Sequence, residues 1–80
     1  MNKQEILDQI TRFMVDELEI EPQLIEGDAS LKEDLGIDSL EIVDVVVFVD
    51  ETFGFRMKPE DFKDLATVDQ FCDFILAHVA

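Results

Sequence analysis

Residues 36–54 read GIDSLEIVDVVVFVDETFG, and this stretch decides the fold. Residues 45–49 within it have the β-propensity of a buried strand. The apolar run nevertheless continues unbroken over residues 40–53, follows an N-cap signal and stops at Gly54, a common C-cap residue. Because no other stretch of the chain offers a convincing partner strand, we predict a helix over about 39–53, called helix II below.

The start of helix II combines an acid with a serine. Asp38 is placed to accept hydrogen bonds from the free N–H groups of the first turn, and Glu41 completes a capping-box pattern. An ordinary capping box uses the serine as the cap, whereas here the acid takes that place and leaves the Ser39 hydroxyl free. A phosphate on Ser39 would lie at the positive end of the helix dipole. The pattern therefore predicts a modifiable serine.

The rest of the chain also reads as helical. Apolar residues at helical spacing predict helix I over about 3–18, and residues 19–37 form a long connection of a length that is often functional. A proline at a first helical position predicts a short helix III over about 59–64. A capping-box pattern opens helix IV over about 68–79. We expect one all-α domain, a four-helix bundle with a long helix I–II loop and a short third helix.

The charge balance narrows the choice of partners. Twenty acidic residues against six basic ones give a net charge of −14, and Lys32 is the only base between residues 16 and 51. Such a chain repels nucleic acid and is attracted to basic protein surfaces. No stretch approaches the roughly 20 apolar residues of a membrane span. The polar N-terminus and the single cysteine fit a cytoplasmic protein, which we expect to be a monomer.

The two sides of helix II differ in polarity. At about 100° per residue, Glu41, Asp44 and Glu51 fall within an arc of about 80° and form an acidic stripe that is predicted to face solvent. Phe48 falls in the same arc. It is either an aromatic anchor in a partner interface or a residue packed beneath helix I or the long loop. The side opposite this stripe is apolar and comprises Val43, Val46, Val47 and Phe53.

Two other classes of function fit the sequence less well. Cys72 and His78 lie about 240° apart on one helix, so they cannot act as a nucleophile and its base, and no enzymatic activity is expected. Residues 28–39 alternate somewhat like a calcium loop, but Glu33 replaces its central glycine and Ser39 its final glutamate. We expect no dedicated metal site and only weak divalent cation binding. An acidic adaptor that needs no modification remains the alternative function.

The motif of residues 36–44, the acidic helix that follows and the sequence Asp-Glu-Thr-Phe-Gly at its end resemble the acyl carrier proteins. The resemblance covers nearly the whole chain. It implies that Ser39 carries 4'-phosphopantetheine, transferred from coenzyme A by a separate magnesium-dependent phosphopantetheinyl transferase. The thiol of this arm would hold acyl groups as thioesters. Asp38 and Leu40, on either side of the serine, match the positions that the transferase recognises.

The resemblance also implies a docking helix and a cargo pocket. Basic patches of acyl-handling enzymes, such as synthases and acyltransferases, would bind Glu41, Asp44, Asp50 and Glu51. The acyl chain would enter the bundle interior beside helix II. The pocket residues predicted for it are Val43, Val46, Val47, Phe53 and Leu65.

Two departures from the housekeeping fatty-acid carriers bear on the pathway. Residues 55–59 read FRMKP where those carriers are usually acidic, and Val47 stands where methionine is common. The main fatty-acid carrier and a carrier of a specialised lipid or polyketide-type pathway therefore both stay open. Peptidyl carriers more often show a Gly-Gly-His/Asp-Ser pattern and fit less well.

Overall fold

The computed structural model describes residues 1–79, and the regular structure within them is helical, as predicted. Residues 45–49 belong to a helix and not to a strand. The first helix ends two residues earlier than predicted and the third ends one residue earlier. The elements are α1 (Lys3–Asp16), a 3₁₀ turn (Pro22–Leu24), α2 (Ser39–Phe53), α3 (Pro59–Lys63) and α4 (Val68–Val79).

Local hydrogen bonds define both ends of α1. At its start, Glu5 N donates to Asn2 Oδ1 over 2.9 Å and Asn2 N donates to Glu5 Oε1 over 3.3 Å, which is a capping box. At its end, Ile20 N donates to the carbonyl oxygen of Met14 over 3.0 Å, and Glu19 has a positive φ of 56°. This left-handed turn stops the helix before Leu18, although Leu18 still packs against the core.

The core draws on all four helices and on the long loop. Phe71 of α4 lies at its centre and meets Phe62 of α3 edge-to-face, with ring centroids 5.3 Å apart. Loop residues Leu31, Leu35 and Ile37 are also buried, so the loop forms part of the core. The helical core residues are Ile6, Ile10, Met14, Ile42, Val45, Val49, Phe62, Val68, Phe71, Cys72 and Ile75.

Backbone hydrogen bonds fasten the long loop to the start of α4. Leu31 N donates to the Ala66 carbonyl oxygen over 3.0 Å, and Val68 N donates to the Ala29 carbonyl oxygen over 3.1 Å. These bonds satisfy buried backbone groups that a loose loop would leave unpaired. They hold the loop after Ser30 close to the segment between α3 and α4. None of the helices in residues 1–79 is long and apolar enough to cross a membrane.

Candidate functional site

The start of α2 has the geometry that its sequence predicts. Asp38 Oδ1 accepts hydrogen bonds from Leu40 N and Glu41 N, each over 3.0 Å, and Asp38 N donates to Glu41 Oε1 over 3.3 Å. This capping box occupies the acid and leaves the neighbouring serine out of the network. Ser39 is exposed, and its Oγ takes part in none of the side-chain hydrogen bonds found within residues 1–79. The serine hydroxyl is therefore available for chemistry.

A groove of about 610 Å³ opens beside this serine. Its size falls within the roughly 300–1,000 Å³ typical of small-molecule sites. The groove runs between the long loop, the first turn of α2, and α3 with the residues that follow it. Its apolar lining consists of Leu31, Ile37, Ile42, Phe62, Leu65 and Ala66, and its polar lining of Ser30, Lys32, Glu33, Asp38, Ser39 and Lys63.

The chain is similar to known proteins over nearly its whole length. The family described as "Phosphopantetheine attachment site" matches residues 8–75. An acyl carrier protein of Thermosynechococcus vestitus is 36% identical over 80 residues, which cover 100% of this chain and 99% of that protein. The chain belongs to the acyl carrier protein family. An acyl carrier protein of Rubrobacter xylanophilus is 31% identical over 78 residues, or 98% of this chain and 96% of its own.

The cofactor of this acyl carrier protein is a covalently attached 4'-phosphopantetheine. Proteins of this family are carriers rather than catalysts, and they interact with acyl-handling enzymes. The residues present fit such a group, since an exposed hydroxyl stands at the edge of a groove with an apolar lining.

Phe48 of α2 packs against α1. Its ring stacks on Phe13 of α1, with centroids 4.2 Å apart and planes 14° apart, and meets Phe53 edge-to-face at 5.7 Å. Phe48 is partly buried. Of the two roles that the sequence leaves open for it, the geometry therefore supports packing beneath the first helix. Among the predicted docking acids, Asp44, Asp50 and Glu51 are exposed and Glu41 is partly exposed.

The prediction that Val43 and Val47 line an interior pocket is wrong. They are 55% and 49% exposed, whereas Ile42, Val45 and Val49 form the buried side of α2. The acidic stripe lies along one edge of the exposed surface of α2, and Asp50 lies along the opposite edge. Val43 and Val47 lie between these two edges.

The acyl pocket itself stays a prediction, and the other residues predicted for it lie in different places. Leu65 does line the groove, whereas Val46 and Phe53 are partly buried against the core and lie outside the groove lining. Ile42 was missed, although it follows Ser39 by three residues and so lies on a neighbouring part of the helix surface. The other apolar lining residues that the sequence did not predict are Leu31 and Ile37 of the loop, Phe62 of α3, and Ala66, which follows α3.

Cys72 and His78 both take part in the packing of the fold. Cys72 is buried in the core, and burial raises the pKa of its thiol to about 11. His78 Nδ1 donates to the Phe74 carbonyl oxygen over 2.8 Å near the end of α4, and its ring stacks on Phe55 at 4.5 Å. Across residues 1–79, no group of three His, Cys, Asp or Glu side chains is arranged to hold a metal ion.

Proposed function

We propose that Ser39 is the attachment site of 4'-phosphopantetheine and that the chain carries acyl intermediates between the enzymes of a fatty-acid, lipid or polyketide-type pathway. When bound, the arm supplies a thiol that holds acyl groups as thioesters. One observation carries the proposal. Ser39 is exposed, left free by the Asp38 cap and placed at the edge of the groove.

The residues on either side of Ser39 are proposed to have different roles when the arm is attached. Asp38 caps the first turn of α2, so the exposed serine hydroxyl stays free of the capping hydrogen bonds and open to a phosphopantetheinyl transferase. Leu40 is 81% exposed and gives the transferase an apolar contact next to the serine. Loading forms one Oγ–P bond at Ser39, breaks the pyrophosphate bond of coenzyme A and releases adenosine 3',5'-bisphosphate and a proton. The carrier itself contributes no catalytic group.

Partner enzymes are proposed to bind the exposed surface of α2. Leu40, Val43 and Val47 fall within about 60° of one another around the helix, and all three are exposed. Exposed carboxylates, those of Asp44 and Glu51 on one side and Asp50 on the other, border this apolar stripe. An apolar centre with a charged border is the usual composition of a transient protein interface. Basic enzyme surfaces complement it, and binding is expected to be fast and sensitive to salt.

The attachment site is tested by intact mass. The protein is incubated with coenzyme A, magnesium and a broad-specificity phosphopantetheinyl transferase, and Ser39→Ala is treated in parallel. Ser30→Ala is the matched control, because Ser30 is the chain's only other serine and lines the same groove. We expect a gain of one phosphopantetheine in the parent and the control, and none in Ser39→Ala. A folded parent that gains no mass would instead point to an adaptor.

The docking surface is tested by the kinetics of the same reaction. Asp44→Lys should slow association with the transferase by about 10-fold or more at low salt, and the difference should shrink at high salt. Glu26→Lys makes the same charge change at an exposed loop position that belongs neither to α2 nor to the groove lining, and should leave the rate nearly unchanged. Equal rates for Asp44→Lys and the parent at low salt would remove α2 from the interface. We also propose that the protein is a monomer and that it is located in the cytoplasm, a reducing compartment that fits the free thiol of Cys72.

A further inference from the structure

Two lysines line the groove beside Ser39. Lys32 belongs to the long loop and Lys63 is the last residue of α3, and both are exposed. They are two of only six basic residues in a chain of net charge −14. The ion pairs found within residues 1–79 are those of Lys3 with acids of α4, so neither groove lysine is engaged in one.

The start of α2 is a poor place for a second anion. Asp38 already accepts the N–H groups of Leu40 and Glu41, and Ile42 N donates to the Asp38 carbonyl oxygen over 3.0 Å. The donors that a phosphate uses at a helix N-terminus are therefore largely occupied. The carboxylates of Asp38 and Glu41 also lie within one turn of Ser39 and repel a negative charge there. The helix dipole is therefore largely offset at Ser39, and positive charge from outside the helix would stabilise a phosphate there.

We propose that Lys32 and Lys63 bind the phosphate of the arm attached to Ser39 and thereby hold the arm in the groove. The inference rests on the proposed attachment at Ser39. Ammonium groups form strong, charge-assisted hydrogen bonds with phosphate oxygens. Two acids also line the groove, Glu33 and Asp38, and the Asp38 carboxylate is held by the helix cap. Lys32 and Lys63 are the cationic donors of the lining.

The test compares the melting temperature with and without the arm. The double variant Lys32→Gln/Lys63→Gln removes the pair. The double variant Arg56→Gln/Lys58→Gln removes the same charge from exposed positions outside the groove lining and serves as the matched control. Attachment is measured separately by intact mass, so a failure of the Ser39 assignment appears as no mass gain in the parent.

Attachment of the arm should affect the two double variants differently. Without the two lysines, the attached phosphate loses two ion pairs near the surface. The change in melting temperature on attachment should therefore be less favourable in Lys32→Gln/Lys63→Gln than in the parent and the control, by about 2–8 °C. This difference should fade in about 1 M salt, where the screening length falls to about 3 Å. The same change on attachment in all three loaded proteins at low salt would overturn the proposal.

The charge of the acyl cargo distinguishes binding of the phosphate from binding of a carboxylate on the cargo. The comparison is repeated with an unloaded arm, with a neutral acyl group and with an acyl group of equal length that ends in a carboxylate. We expect the full difference with the unloaded arm already. A difference that arises only with the carboxylate-ended cargo would mean that the lysines bind the cargo, and the phosphate assignment would be overturned. A phosphorus NMR line that is broader in the parent than in Lys32→Gln/Lys63→Gln supports a held phosphate, whereas equal widths contradict it.

Discussion

Replacing Phe48 with alanine is expected to destabilise the fold substantially. The Phe48 ring is partly buried, stacks on Phe13 with a centroid distance of 4.2 Å and touches Phe53 with its edge. Alanine would remove both ring contacts at once. Since the contact with Phe13 joins α1 to α2, its loss should weaken the packing between the two helices.

The size of the effect follows from burial and geometry. Truncating a fully buried phenylalanine costs about 3–5 kcal/mol, and a partly buried one about half of that. A stacked aromatic pair adds about 0.5–1.5 kcal/mol beyond burial. We therefore expect Phe48→Ala to lower the free energy of unfolding by about 2–4 kcal/mol. For a domain of this size, that corresponds to a melting temperature lower by about 10–30 °C.

The assay is thermal and urea unfolding followed by circular dichroism, with Phe48→Leu as the control that keeps most of the volume but removes the ring. A double-mutant cycle with Phe13→Leu isolates the stacking energy, which should be about 0.5–1.5 kcal/mol. A melting temperature within about 2 °C of the parent for Phe48→Ala, together with slower loading by the transferase, would refute this reasoning. Phe48 would then be an exposed anchor for partners.

Three further predictions follow from the same structure. Val45→Ala should lower the free energy of unfolding by about 2–3 kcal/mol, because the Val45 side chain is fully buried. Val47→Ala should stay within about 0.5 kcal/mol of the parent but should slow loading by the transferase. Equal free energies of unfolding for the two variants would contradict this assignment of the two sides of α2. Folding raises the pKa of the Cys72 thiol from 9.0 to about 11, so its contribution to stability is fully present below pH 9 and is lost between pH 9 and 11. Urea midpoints across that range should fall more steeply for the parent than for Cys72→Ala, and matching slopes would exclude the thiol as the cause. Millimolar magnesium should raise the melting temperature more than sodium at equal ionic strength, because divalent ions relieve carboxylate repulsion in a chain of charge −14; no difference between the two salts would rule out divalent binding.

The helices and the Asp38 cap could be predicted because their causes are local. The N–H groups that Asp38 accepts lie two and three residues away, and Gly54 takes the left-handed conformation with a φ of 77° that ends α2. Such contacts are encoded within one or two turns of chain, so pattern reasoning finds them. The exposure of Ser39 follows from the same cap and was likewise open to prediction.

The side of α2 that faces the core could not be predicted from the stretch alone. Thirteen apolar or acidic residues leave several orientations with similar polarity, and the choice depends on which neighbours pack against the helix. Contact with Phe13 turns Phe48 inward, and the burial of Val45 turns Val47 outward. Burial of apolar area decides between such orientations, because each buried side chain contributes about 1.5–3 kcal/mol.

The sequence by itself determined a helical carrier with a free serine at the start of an acidic helix. Only the tertiary structure decided what surrounds that serine. Lys32 and Lys63 are 31 residues apart in the chain, and they meet at one groove because the loop is hydrogen-bonded beside Ala66 and α3 packs against α2. Neither lysine belongs to a local pattern that would mark it as part of a site. Long-range contacts of this kind depend on how the elements pack, and no single stretch of sequence specifies that packing.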